Sequence, residues 1–368
     1  MPMTKKNVLV VDDSALMRRM ISDSINETDD LAVVGTAING EDALVKFREL
    51  NPDVVTLDIQ MPGMDGLTAL QQMLAIRPVP VIMVSSLTQR SAEVTLNCLD
   101  RGAMDYVAKP DNAAQAQTVL RDELVRKIRA SMGADVARVM QIRKRRRPAR
   151  PTSNTGKLPG TTASPKFSAK EDVTGLCIAI GISTGGPPAL TRIFEALAPP
   201  MPPIVVVQHM PGQFTGPFAN RLNSISDLTI KEAQSGDILL PNHVFIAPGG
   251  MHLYLEQRGR IIKLDVRDGE PVTGHKPSVD VMMECAARIF GERCLGAIMT
   301  GMGRDGVDGC RYIKERGGYV LGQDQASSDV YGMNKIAFTS GHVHEQFSLD
   351  DAPAVLVSSL AKLHCLTA

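Results

Sequence analysis

Short apolar, β-branched runs alternate along the chain with segments whose apolar positions recur at helical spacing. Over residues 7–110 the runs are NVLVVDD, LAVVGTA, DVVTLDI, PVIMVSS and DYVAKP, separated by SALMRRMISDSI, GEDALVKFREL, LTALQQML and SAEVTLNCL. Such alternation predicts a parallel sheet covered by helices on both faces. A closing helix is expected from about Ala113 to Met132. The pattern restarts at GLCIAIGIS and continues through PPALTRIFEAL, PIVVVQHM, TGPFANRLNSI, SVDVMMECAARIF, LGAIMTGMG, GVDGCRYIKERG, GYVLGQD and PAVLVSSLAKL. Inside this second stretch, HVFIAPGGMHLYLEQRGRIIKLD combines an apolar run, a turn and an alternating pair, the mark of an antiparallel hairpin beside the sheet. The expected class is α/β, with two doubly wound parallel-sheet domains, the second carrying the added hairpin.

Between the two stretches the character changes. RKRRRPARPTSNTGKLPGTTASPK is dense in Pro, Gly, Ser, Thr and basic residues and offers almost nothing to bury. The expected organisation is a first domain over 1–132, a flexible linker over 133–172 and a second domain over 173–368. The basic run Arg143–Arg147 is read as part of a solvated linker. Across all 368 residues, 40 basic residues balance 40 acidic ones, so no overall field favours nucleic acid or an anionic membrane. The apolar run after Lys5 and Lys6 ends at Asp12, too soon for a signal peptide, and no later run approaches the roughly 20 residues that cross a bilayer. A cytoplasmic monomer without membrane insertion is expected. Six scattered cysteines without CxxC pairs are read as reduced thiols, with neither disulfides nor zinc.

Polar residues end the expected central strands of the first domain, where ligands of open parallel sheets gather. Asp12 and Asp13 close the first strand, Asp58 the third, Ser85 the fourth and Lys109 the fifth. Three converging carboxylates repel one another without a cation, and their hard oxygens suit Mg²⁺. Asp58 is then placed to attack phosphorus, Lys109 to neutralise the incoming phosphoryl group, and Ser85 to bond one of its oxygens. Singly, each residue reads as a helix cap or loop residue; the conjunction of five reverses that. The first roughly 130 residues resemble bacterial response-regulator receivers through VDDS, LDIQMPGMDGL, MVSS and YVAKP. The resemblance implies a flavodoxin-like receiver fold and Asp58 as phospho-acceptor. It also implies Mg²⁺ held by Asp13, Asp58 and the backbone carbonyl of Gln60, and phosphorylation sensed by Ser85 and Tyr106.

In the second domain, CIAIGISTGGPPAL sets Ser183 at the junction of a buried strand and a helix. Gly181, Gly185 and Gly186 permit a sharp turn, and the helix N-terminus is expected to stabilise developing negative charge. An ordinary helix-capping serine is the competing reading. A serine nucleophile needs a base, and all seven histidines lie beyond residue 208. His209 ends the next strand and would share a rim with Ser183. His252 and His275 are runners-up, while His243, His342, His344 and His364 read equally well as surface histidines or as further candidates. Asp305, in LGAIMTGMGRDG, is the candidate orienting acid, or else the cap of the helix after it.

STGG, QHMP, IAPGG, HKPSVD, TGMGRDG and QDQAS resemble the chemotaxis-specific protein-glutamate methylesterases over nearly the whole chain. This implies a Rossmann-like serine hydrolase domain with Ser183, His209 and Asp305 as triad, and Thr184 and the Met302 amide near the oxyanion, with no cofactor for the ester reaction. It further implies phosphorylation-controlled hydrolysis of glutamate methyl esters on methyl-accepting chemotaxis receptors, deamidation of receptor glutamines, and a chemotaxis histidine kinase as phosphodonor. Ile182, where a small residue is usual, and Asn334 in YGMNK, where proline is expected, depart from the pattern. No helix-turn-helix pattern, GxGxxG or Walker lysine supports a DNA-binding or nucleotide-binding output. A catalytically silent scaffold of the same fold is the alternative, and an assay for released methanol separates the two.

Overall fold

The computed structural model describes residues 5–86, 88–109, 113–144 and 175–367. The chain divides into two compact units, Met1–Arg147 and Pro148–Ala368, each considered by itself.

The first unit runs β1 (Lys6–Val11), α1 (Ala15–Asn26), β2 (Leu31–Ala37), α2 (Gly40–Leu50), β3 (Val54–Asp58), α3 (Gly66–Ile76), β4 (Val81–Ser85), α4 (Gln89–Asp100), β5 (Asp105–Ala108) and α5 (Ala113–Met132). Side chains of Ser14, Asn39, Asp65 and Thr88 start α1 to α4, each accepting from the amide three residues on. The sheet is parallel in the order β2-β1-β3-β4-β5. Its connections leave β1 in one direction and continue from β3 in the other, so the switch in winding falls between the carboxyl ends of β1 and β3.

Past α5, the expected linker does not begin at residue 133. Residues Val136–Lys144 form α6, started by the Asp135 carboxylate accepting from the Arg138 amide at 2.9 Å. Val136 and Val139, one helical turn apart, are buried. The dense arginines just beyond had obscured this short apolar stripe. Residues 145–172, which hold the rest of the expected linker and most of its basic run, lie outside the described residues.

The second unit runs β6 (Cys177–Ile182), α7 (Gly186–Ala196), β7 (Ile204–Gln208), α8 (Gly212–Asn223), β8 (Thr229–Glu232), β9 (His243–Ile246), β10 (His252–Arg258), β11 (Ile261–Arg267), α9 (Val279–Phe290), β12 (Cys294–Ile298), α10 (Val307–Glu315), β13 (Tyr319–Gln323), α11 (Met333–Thr339), β14 (Glu345–Phe347) and α12 (Ala352–Thr367). Seven strands form one parallel sheet in the order β14-β13-β12-β6-β7-β9-β8. The expected hairpin is β10 with β11, antiparallel and separate from that sheet, its Leu253, Leu255 and Leu264 buried in the core beside α9. Here the winding reverses about β6, which lies between β7 and β12, so the carboxyl ends of β6 and β12 flank the switch. Among the described residues, no helix is long and apolar enough to cross a membrane.

Candidate active site

Both switch points carry the polar residues expected of them. In the first unit Asp12 and Asp58 are buried and Asp13 exposed, with one carboxylate oxygen from each within 4.8 Å of the others. The Lys109 ammonium lies 2.9 Å from Asp12 Oδ2 and 2.8 Å from Asp58 Oδ2. Burial pushes the Asp58 carboxyl up from its ordinary range, with Lys109 acting in the opposite sense. For Lys109, burial would lower the ammonium, but Asp58 and Asp12 outweigh it and the net movement is upward. The amide of Gln60 donates to Asp58 Oδ1 at 3.3 Å. Ser85 is buried and its hydroxyl accepts from Thr95 Oγ1 at 2.8 Å. Tyr106 is buried, its ring 4.9 Å from the Lys127 ammonium, and burial drives its phenol well above the ordinary value. Three carboxylates against one ammonium leave an all-oxygen, net negative pocket that fits a divalent cation.

In the second unit Ser183 follows β6 and His209 follows β7. Ile182 and Gln208 are register partners, and the His209 amide donates to Ile182 O at 3.1 Å, so the two candidate residues leave neighbouring strands at the same level. The loop from β12 closes the other side, with the Ser183 amide donating to Thr300 O at 2.9 Å and Thr300 Oγ1 to Thr184 O at 2.9 Å. Thr184 and Met302 thus lie on two segments joined through Thr300.

The helix after Ser183 has few amides to offer at its start. It starts Gly186-Pro187-Pro188, so two of its first three residues have no N–H, and the Gly186 amide already donates to Ser183 O at 2.8 Å. The first turn of α7 therefore has no free N–H from Gly186, Pro187 or Pro188 to offer. Gln208 ties the strand ends together: its Nε2 donates at 3.1 Å to both Ser183 O and His209 O. Its Oε1 faces the helix start, where a β-carbon at residue 186 would stand 1.8 Å away. Gly186→Ala should displace Gln208, cost about 1–3 kcal/mol in unfolding free energy and lower kcat. Urea denaturation checks this, and an unchanged midpoint contradicts it.

His209 Nε2 lies 2.8 Å from Asp305 Oδ2. Its Nδ1 is buried with no hydrogen-bond partner among the described residues. The His275 ring stacks on His209 at a centroid distance of 3.9 Å and an interplanar angle of 1°. His252 is elsewhere employed: its Nδ1 accepts from the Ser278 amide at 3.3 Å and its Nε2 donates to Glu270 O at 2.9 Å. His243 Nδ1 donates to Pro241 O, His344 Nδ1 accepts from the Val320 amide, His342 is half-buried, and the side chain of His364 lies outside the described residues.

Asp305 does not cap the helix that follows it, since α10 starts after Gly306 with no side-chain cap. It instead receives the start of α9. Val279 N donates to Oδ2 at 2.7 Å, while Asp280 N at 3.1 Å and Ser278 Oγ at 2.8 Å donate to Oδ1. Burial alone would raise this carboxyl, but His209 and the two amides outweigh it and hold the group well below the ordinary carboxylate range. Gln208, Thr273, Ser278, Asp280 and Thr300, all supporting this cluster, were missed in the sequence. Ser278 alone carried a signal, as a cap residue opening SVDVMM. Of the two departures, Ile182 is buried in β6, and Asn334 is buried with Nδ2 donating at 2.8 Å to both Gln323 O and Ser328 Oγ.

An acidic phospho-acceptor-type pocket on one α/β unit, and a Ser, His and Asp constellation at the rim of another, define a response regulator whose output domain is a hydrolase. Residues 8–121 match the response regulator receiver domain and residues 178–356 match the CheB methylesterase family. The chain belongs to the protein-glutamate methylesterase/protein-glutamine glutaminase family and is an enzyme of that kind. A relative of that name from Methylobacillus flagellatus is 40% identical over 355 residues, covering 96% of each chain. Another from Caulobacter vibrioides is 42% identical over 347 residues, covering 94% of this chain and 96% of that one. The crystal structure of the Thermotoga maritima CheB methylesterase catalytic domain is 37% identical, covers 50% of this chain and 98% of that one, and gives a TM-score of 0.49.

Proposed function

We propose that this enzyme removes methyl groups from glutamate methyl esters of chemotaxis receptors in the cytoplasm, deamidates receptor glutamines by the same route, and is activated by phosphate on Asp58. The observation that carries the ester chemistry is the bond from His209 Nε2 to Asp305, which leaves Nδ1 as the base nitrogen at the strand end beside Ser183. Nδ1 takes the Ser183 Oγ proton as the oxygen attacks the side-chain acyl carbon. The positive charge formed on His209 is balanced by Asp305, whose carboxylate three further donors hold in place. Amides of the Thr184 and Met302 segments stabilise the oxyanion. The protonated Nδ1 then gives its proton to the departing methoxide, or to the departing amine for a glutamine. Water repeats the sequence on the acyl-enzyme.

In the receiver, Asp58 accepts phosphate from a histidine kinase, with Asp12, Asp13, Asp58 and the Gln60 carbonyl as holders of Mg²⁺. A divalent cation held by these residues would supply positive charge to offset that of the incoming phosphoryl group. Lys109 pairs with the phosphoryl group, and Ser85 and Tyr106 respond to it. Support comes from the convergence of the three carboxylates and the bridging Lys109.

The test is methanol release from methylated receptor fragments with and without a small phosphodonor and Mg²⁺. Phosphorylation should raise the rate roughly 5- to 150-fold, the span of ordinary coupling energies. Asp58→Asn should remove both phosphate labelling and the stimulation while leaving the basal rate. Stimulation persisting in Asp58→Asn would remove Asp58 from the reading, and absent methanol release would favour the silent scaffold.

A further inference from the structure

A second carboxyl lies behind the triad acid. Asp280, the second residue of α9, is buried; its Oδ1 accepts from the Gly309 amide at 2.7 Å and its backbone amide donates to Asp305 Oδ1. Between the two acids stands Thr273, whose Oγ1 is 3.0 Å from Asp280 Oδ2 and 3.1 Å from Asp305 Oδ1. A hydroxyl has one hydrogen, so it donates to one of these carboxylates at a time. Thr273 also has a φ of 52°, the left-handed region that a β-branched residue rarely adopts. Strain of that kind persists where the surroundings enforce it, here keeping the hydroxyl between the two acids.

We propose that Asp280 is a positioning residue that sets how strongly Asp305 holds His209, by drawing the Thr273 hydroxyl to itself or releasing it to Asp305. The inference rests on Asp305 being the triad acid. With a proton on Oδ2, Asp280 donates to Thr273 Oγ1 and the Thr273 hydrogen passes to Asp305. Once Asp280 is ionised, its Oδ2 competes for that hydrogen, whereas Asp305 Oδ1 keeps its bonds from Ser278 and the Asp280 amide. Asp305 then loses one donor and gains a negative neighbour, and both changes make it a stronger acceptor for His209 Nε2–H.

Burial, aided by the Asp305 charge and opposed by the Gly309 amide and Thr273, pushes Asp280 up to about 6. The proton is therefore held below that pH and lost above it. Other titratable groups around Asp280 are Asp305 with His209 beyond it, and Cys310 on α10, a buried thiol pushed well above its ordinary value. The same helix carries Asp308, whose side chain is half exposed and pairs with Arg304 and Arg311. His252 reaches the start of α9 from β10. The loop bearing Thr273 holds His275 and the Asp268–Lys276 pair, and Glu284 on α9 faces solvent.

The test is the pH dependence of kcat/KM, measured from pH 5 to 9 on the full-length chain with a glutamyl-methyl-ester peptide. In Asp280→Asn the side-chain amide permanently donates to Thr273, fixing the low-pH arrangement. Wild type should exceed this variant about tenfold at pH 8, the size of one pKa unit of coupling. The ratio should fall towards one at pH 5. In a Thr273→Val background the pH dependence of the ratio should shrink, leaving only the part carried by the Asp280 charge itself. A constant ratio, as a purely structural defect would give, overturns the proposal, as does a pH dependence of the ratio that Thr273→Val leaves undiminished. If Asp280→Asn does not fold, Thr273→Val alone must show a smaller rise in kcat/KM through pH 6 than wild type, and an identical profile overturns the proposal. Loss of the Ser183 reading would instead appear as activity retained by Ser183→Ala.

Discussion

Ser183→Ala is expected to lower methanol release roughly a million-fold, the scale on which a triad nucleophile matters, with the fold and Asp58 phosphorylation unaffected. The bonds that shape this corner are main-chain ones: Ser183 N to Thr300 O, Gly186 N to Ser183 O, and Gln208 Nε2 to the same carbonyl. None uses the hydroxyl, so removing it should subtract the proposed acyl acceptor and little else. Steady-state assay with a discontinuous methanol readout, alongside far-UV circular dichroism, checks both halves. A variant retaining even a hundredth of the wild-type rate would assign the nucleophile elsewhere.

Asp305→Asn should reduce kcat about ten-thousand-fold, as loss of an orienting carboxylate does in triads, and here it should also destabilise the fold. The carboxylate accepts from His209, Ser278, Val279 and Asp280, and an amide replaces one of those acceptor oxygens with a donor. With Nδ2 at the Oδ2 position, it opposes the Val279 N–H and turns His209 to the tautomer with hydrogen on Nδ1, the nitrogen that must be free. With Nδ2 at the Oδ1 position, it opposes the Asp280 amide. One buried donor left unmet costs about 1–3 kcal/mol. Because the native carboxyl is held well below its ordinary range, its contribution is complete above about pH 4 and is lost as the solution becomes strongly acidic. The stability gap between wild type and variant should accordingly be widest at neutral pH and narrow in acid. Equal melting temperatures at pH 7 would contradict the proposed anchoring of α9 by this residue.

The sheets were legible because buried parallel strands are written as continuous apolar runs with polar residues at their carboxyl ends. Asp58, Ser183 and His209 could be seen for that reason, each being the residue that ends such a run or follows it. Short elements were not: β8, α11 and β14 have too few residues to show a period, and α6 carries only one stripe of two valines. The supporting cast of the active site was illegible for a different cause. Asp305 binds the start of α9, 25 residues earlier in the chain, and nothing local distinguishes that from capping the helix next to it. Thr273 and Asp280 meet Asp305 only where the loop after β11, the start of α9 and the loop after β12 come together in the folded chain. The scarcity of amides at the start of α7 was in the sequence all along, since two consecutive prolines carry no N–H.

The ammonium of Lys109, set between Asp12 and Asp58, has a consequence for metal economy. Both buried carboxylates already have a permanent counter-charge from the chain itself. The first unit should therefore keep its shape when chelators strip divalent ions from solution, unlike small domains whose folding is driven by their metal. Withdrawal of divalent cations should accordingly affect the proposed phosphorylation of Asp58 and leave the unfolding midpoint of the first unit unchanged.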